Sequence, residues 1–149
     1  MLAEPWPPPG AMGETRRKPE VFGMSRLSLA FFTTAALCAL AGMTWGIMMA
    51  TSGDFTMAPA HAHLNLLGWA TLGLMGAFYG VAGERAPKTL GWLNFGLSTL
   101  GVVIMVPSLA MLLAGHPNVV IKIAPMFALA GMIAFLLSIL AVWRSATKA

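Results

Sequence analysis

The stretch His61-Ala62-His63-Leu64-Asn65-Leu66-Leu67-Gly68-Trp69-Ala70-Thr71-Leu72-Gly73-Leu74-Met75-Gly76-Ala77-Phe78-Tyr79-Gly80-Val81-Ala82 decides how this chain folds, because no Lys, Arg, Asp or Glu interrupts it. As a helix rising about 1.5 Å per residue it extends about 33 Å, enough to cross the ~30 Å hydrocarbon layer of a bilayer. Two imidazoles stand at its mouth. Ionisable side chains at membrane depth are costly to desolvate and tend to mark ligands, ion paths or redox centres, so this stretch is also the first candidate for function.

Outward from it lie three further apolar runs, at about residues 27–50, 90–114 and 119–143. The 149-residue chain is 58% apolar and only 9% charged, with a mean hydropathy of +0.77. That is too apolar for a soluble domain of this size. The expectation is an all-α membrane protein, a four-transmembrane-helix bundle over residues 24–149, in contact with the lipid bilayer.

A formal charge of +4 could suit nucleic acid, but its placement argues against that partner. Arg26, Arg85, Lys88, Arg144 and Lys148 all flank span ends, whereas the loops 51–60 and 115–118 carry no Lys or Arg. This is the positive-inside pattern. It implies two cytoplasmic termini in an inner membrane, with the histidines on the outer, periplasmic side. Residues 1–23, with Pro5, Pro7, Pro8, Pro9 and Arg16-Arg17-Lys18, read as a disordered cytoplasmic tail. The first apolar run is long for a signal core and has no small-residue cleavage site, so it reads as a retained helix.

Within the spans, Pro107 and Pro125 are expected to kink their helices. Gly42/Gly46 and Gly76/Gly80 form small-xxx-small pairs suited to close helix packing within or between chains. The lone Cys38 excludes a disulfide within one chain and reads as a small core residue.

On a regular helix, turning about 100° per residue, Asn65, Gly68, Gly76 and Tyr79 share the face of His61. His63 lies about 200° round, with Leu67, Ala70, Leu74 and Ala77. The two imidazoles then point in opposite directions. Two separate ligands on two faces are more natural than one ion chelated by both.

The run from His61 to Trp69 resembles the tenth transmembrane helix of subunit I in haem-copper oxidases, especially the cbb3-type oxidases and the related nitric oxide reductases. In that family a His-x-His pair binds two haems, one on each face of the helix. The resemblance implies that His61 corresponds to the ligand of the high-spin haem and His63 to that of the low-spin haem, making haem b the expected cofactor. It covers the second span and extends to its neighbours only in hydropathy. The family's copper site needs three more histidines, and only His116 remains. A complete oxidase within one chain is therefore not expected, and whether the chain is an enzyme stays open.

A low-spin haem at His63 needs a second axial ligand. His116, in the outer loop, could supply it, or a second copy of the chain could contribute its own His63 across a two-fold axis. Either gives a b-type haem suited to electron transfer, while an open position at a single-histidine site would suit gas or redox sensing. Three alternatives stand beside this reading: copper or zinc at His61 and His63, a structural role for the imidazoles, and an accessory subunit touching respiratory oxidase partners. Asn65 either orients the His61 ring or bonds across to Asn94 or Ser98. Lys122 either snorkels outward or pairs with Asp54 or a haem propionate. Trp45, Trp92 and Trp143 read as interfacial anchors.

Overall fold

The computed structural model describes residues 24–147; the tail expected at 1–23 lies outside them. Among the described residues the chain is all helical, with four helices long and apolar enough to span a membrane: Arg26–Ser52, Ala58–Arg85, Lys88–Leu113 and Val120–Ala146. Spans of 26 to 28 residues are about 40 Å long, so they exceed the hydrocarbon thickness and reach into the headgroup region or tilt. Helix is the expected outcome of such runs. In lipid a spanning segment must satisfy every backbone N–H and C=O internally.

The boundaries shift by one to three residues from those expected, outward except at Leu113 and Val120, and the second span begins at Ala58 rather than at residue 61. Pro59 occupies the first turn, where its missing N–H costs nothing and its fixed φ favours the helix. Both histidines consequently sit inside the helix, not at its mouth. The first helix ends at Gly53, whose φ of 70° closes a left-handed cap with its N–H on the Met49 carbonyl. The third and fourth helices run unbroken through Pro107 and Pro125.

Glycines stand at the closest interhelical approaches. An added Cβ at Gly101 would lie 2.8 Å from the Ala128 amide nitrogen, and one at Gly131 would lie 2.9 Å from that of Ser98. The third and fourth helices therefore touch backbone to backbone. Between the first and second helices, Gly76 receives Phe31 and Phe32, Gly68 receives Cys38, and Gly80 receives Ser28, while Gly42 and Gly46 receive Asn65 and His61. The Ser28 hydroxyl donates to the Gly76 carbonyl at 2.8 Å. All four glycines of the small-xxx-small pairs are thus engaged within the chain.

The core lies toward the basic end, where Leu27, Phe31, Ala35, Leu72, Met75 and Tyr79 are buried together. The Tyr79 ring stacks on Phe31 at 5.4 Å. Its hydroxyl donates to Ser138 Oγ at 2.9 Å and accepts from Asn94 Nδ2 at 3.1 Å, while Ser98 Oγ donates to Asn94 Oδ1 at 2.9 Å. Ser138 in turn donates to the Ala134 carbonyl. This chain of bonds ties the second, third and fourth helices together inside the bundle. Meanwhile Leu37, Leu40, Ile47, Leu74, Val103 and Leu136 point outward. Such an inverted distribution fits a lipid surround, because apolar side chains lose nothing by facing acyl tails.

Candidate functional site

Directly after His63 the second helix widens into a π-helix over Leu64–Thr71 before returning to α-helix at Leu72–Ala82. Thr71 Oγ1 conforms to the wider spacing, donating to the Leu66 carbonyl five residues back. Each π insertion rotates the downstream half of the helix by about one residue, on the order of 100°. The regular helical wheel fails here for that reason. Tyr79 does not share a site with His61; it lies in the bundle core, whereas His61 faces the first helix near Trp45 and Gly46. Segments of this kind are frequent at functional sites, and nothing in the apolar pattern announces one.

His61 and Asn65, one turn apart, form one unit. Asn65 Nδ2 lies 3.1 Å from His61 Nε2 and 3.1 Å from the His61 carbonyl oxygen, so the amide bridges ring and backbone of the same residue. Of the two expectations for Asn65 the structure has the first: it orients the imidazole. Asn94 and Ser98 are occupied with each other and with Tyr79. Room for the pair comes from the first helix. A Cβ at Gly42 would stand 3.0 Å from Asn65 Cγ, and one at Gly46 3.2 Å from His61 Cε1. Gly42 and Gly46 are thus a socket for two polar side chains, with the Trp45 ring edge-on to His61 at 6.5 Å. A groove lined by Met43, Gly46, Ile47, Ala50, His61 and Asn65 opens from this socket to the exterior.

His63 is exposed, and its Nδ1 lies 2.8 Å from the Pro59 carbonyl oxygen. A carbonyl only accepts, so Nδ1 carries the proton and Nε2 keeps a free lone pair in the neutral ring. That disposition suits an iron or metal ligand, whose remote ring nitrogen usually donates to a carbonyl or carboxylate. The two histidines therefore differ in kind. Among the described residues His63 Nε2 meets no partner, whereas the Nε2 of His61 lies 3.1 Å from Asn65 Nδ2. His63 thus offers one axial nitrogen that a haem could take, while a ligand bond from His61 Nε2 would require Asn65 to move away.

The remaining candidates do not join either histidine in a closed set. His116 is exposed in the loop between the third and fourth helices, its N–H bonded to the Met111 carbonyl. Lys122 is exposed in the first turn of the fourth helix. The alternative in which it pairs with Asp54 is not formed among the described residues, where Lys88–Glu84 at 2.9 Å is the ion pair present. Asp54 instead accepts from the Thr56 N–H at 2.9 Å. Hydrogen bonds from the Thr56 side chain and backbone hold its carboxyl below the usual range. Among the described residues no three of His, Cys, Asp and Glu come together as a metal-holding group. Sequence reasoning missed the Tyr79–Asn94–Ser98–Ser138 chain, although four polar residues within apolar spans were the available signal. Compared with known proteins, the chain matches no family model, no curated protein and no solved structure.

Proposed function

We propose that this protein binds a b-type haem through His63 at the outer end of its second span and acts in electron transfer or in redox or gas sensing. The observation that carries the reading is the Nδ1–H bond from His63 to the Pro59 carbonyl, which leaves Nε2 free on an exposed helix face. The likeness of the His61 to Trp69 run to haem-copper oxidase subunit I points the same way. A haem bound there would supply a one-electron couple. For its part, the Pro59 carbonyl fixes the ring tautomer and increases the basicity of the free nitrogen.

The second axial ligand comes from the corresponding His63 of a second copy, or from His116. An exposed ligand face on the outside of the bundle favours the two-fold homodimer, since both copies can then meet symmetrically. Lys122, an exposed cation beside the same loops, is available to a haem propionate. The basic residues at the opposite end support cytoplasmic termini and a periplasmic histidine end. Copper or zinc at His63 would use the same free nitrogen but needs further ligands from a partner.

The test is a reduced-minus-oxidised spectrum with pyridine haemochrome quantification, on detergent-purified protein expressed with ample haem. The wild type should give a stoichiometric b-type signal with a low-spin spectrum. His63→Ala should abolish it and His61→Ala should retain it. A colourless, fully helical wild-type protein would sink the haem reading and favour an accessory role beside respiratory oxidase subunits.

A further inference from the structure

Positive charge gathers at the end of the bundle opposite the histidines. Ser28 lies against Gly76 and Gly80, and Gly91 takes up Leu27 and Tyr79, so the start of the first helix, the end of the second and the start of the third meet at one level. Arg26, Arg85 and Lys88 stand exposed there on three different elements, and Arg144 lies in the last turn of the fourth helix. Of the carboxylates among the described residues, Asp54 is at the other end and Glu84 is paired with Lys88 at 2.9 Å. A cleft of about 50 Å³ opens between these elements. Leu27, Tyr79 and Ala86 form its buried floor and the half-exposed Trp92 one wall, with Ser25, Glu84 and Lys88 at its mouth. It has room for a few heavy atoms, the size of a headgroup fragment rather than of an acyl chain. Arg26 lies in sequence between Ser25 and Leu27, and Arg85 between Glu84 and Ala86, so two arginines flank the cleft from two sides.

We propose that this cleft and its arginine rim bind the headgroup of an anionic phospholipid. A guanidinium presents paired N–H donors that match two oxygens of one phosphate, and the two that flank the cleft can hold a phosphate from two sides. The exposed indoles of Trp92 and Trp143 belong to the same end, and such side chains favour the level at which lipid phosphates lie. Charge selects among the lipids. A zwitterionic headgroup carries a cation beyond its phosphate, and that cation meets the same positive rim, whereas a headgroup of net negative charge gains from every basic residue near it. A phosphate dissolved in water would find the arginines but nothing to set against the apolar floor and Trp92. The occupant is therefore a lipid of the adjoining leaflet, its phosphate at the rim, its glycerol edge against Trp92 and its chains left in the bilayer. This site involves neither histidine nor a haem, so it stands independently of the reading above.

The experiment is native mass spectrometry of the full chain, released from detergent micelles and titrated with phosphatidylglycerol or with phosphatidylcholine of the same acyl chains. A saturable complex with phosphatidylglycerol is expected, about tenfold tighter than that with phosphatidylcholine. Replacing both flanking arginines, Arg26→Gln with Arg85→Gln, should weaken phosphatidylglycerol binding about tenfold and remove the preference. Arg144→Gln removes a like charge at the same end but away from the cleft, and Lys122→Gln one at the other end; each should leave binding within about twofold. Where the double variant loses helicity, Arg85→Gln alone decides, because it alters one exposed side chain in a turn. Glycerol 3-phosphate, which carries the phosphate without the chains, should not displace the lipid. Equal binding of the two lipids, unchanged binding to a folded Arg85→Gln variant, an equal loss with Arg144→Gln, or displacement by glycerol 3-phosphate overturns the proposal.

Discussion

At the scale of single residues, what separates the two histidines is which ring nitrogen is engaged. Both lie in the first two turns of the same helix, yet a bond to the Pro59 carbonyl frees Nε2 of His63, while a bond from Asn65 occupies Nε2 of His61. The spacing alone placed them on opposite faces but could not assign a hydrogen-bond partner to either. Tyr79 is the residue whose role the sequence least revealed. Its hydroxyl is the hinge of the buried chain from Asn94 to Ser138. Tyr79→Phe should therefore lower stability by about 1 kcal/mol, and Asn94→Ala by about 2 kcal/mol because it also opens a void. Unfolding in mixed micelles followed by circular dichroism measures both, and unchanged midpoints would show that the chain of bonds contributes nothing.

The helix pairs meet through glycine, each pair in its own way. The first and second helices use their glycines as sockets for side chains, including the polar His61–Asn65 unit against Gly42 and Gly46. By contrast, the third and fourth helices approach backbone to backbone at Gly101 and Gly131. Side chains can turn aside but a backbone cannot, so Gly101→Ala should cost about 1–3 kcal/mol. Gly96, on the same helix with nothing within 4 Å of an added Cβ, supplies the control: Gly96→Ala should be neutral or stabilising. The same unfolding assay separates the two, and equal midpoints would contradict the close approach. The π segment belongs to this scale as well. It occupies only Leu64–Thr71, yet it resets the relation between the histidine half of the second helix and the Tyr79 half.

For the whole molecule, the many large apolar side chains that face outward, with Ser28, Asn94, Ser98 and Ser138 buried inside, suit a bilayer surround. Contacts between Ser28 and Gly76, Tyr79 and Ser138, and Leu27 and Gly91 bring both described ends of the chain to one end of the bundle. The opposite end carries His61, His63 and His116. If the basic residues orient the bundle, that end faces outward. On a Cys38→Ser background, a membrane-impermeant maleimide should label Pro117→Cys in intact spheroplasts and Thr147→Cys only after lysis. The reverse pattern would place the histidines inside and exclude a periplasmic site.

The amino-acid sequence by itself determined an all-helical chain with four spans. Length, apolar composition and charge placement suffice for that, because a spanning segment has one way to satisfy its backbone in lipid. Helix ends were legible to within about three residues, with Pro59 and Gly53 supplying the local signals missed by hydropathy alone. Only the tertiary structure decided what each polar group touches. The π-helix broke the regular period on which face assignments depend, and the Gly42/Gly46 socket drew His61 and Asn65 against the first helix while His63 stayed exposed. Hydrogen-bond partners across 15 to 59 residues of sequence, as in the Asn94–Tyr79–Ser138 chain, arise from helix rotation and close packing. Neither quantity is encoded by local hydropathy.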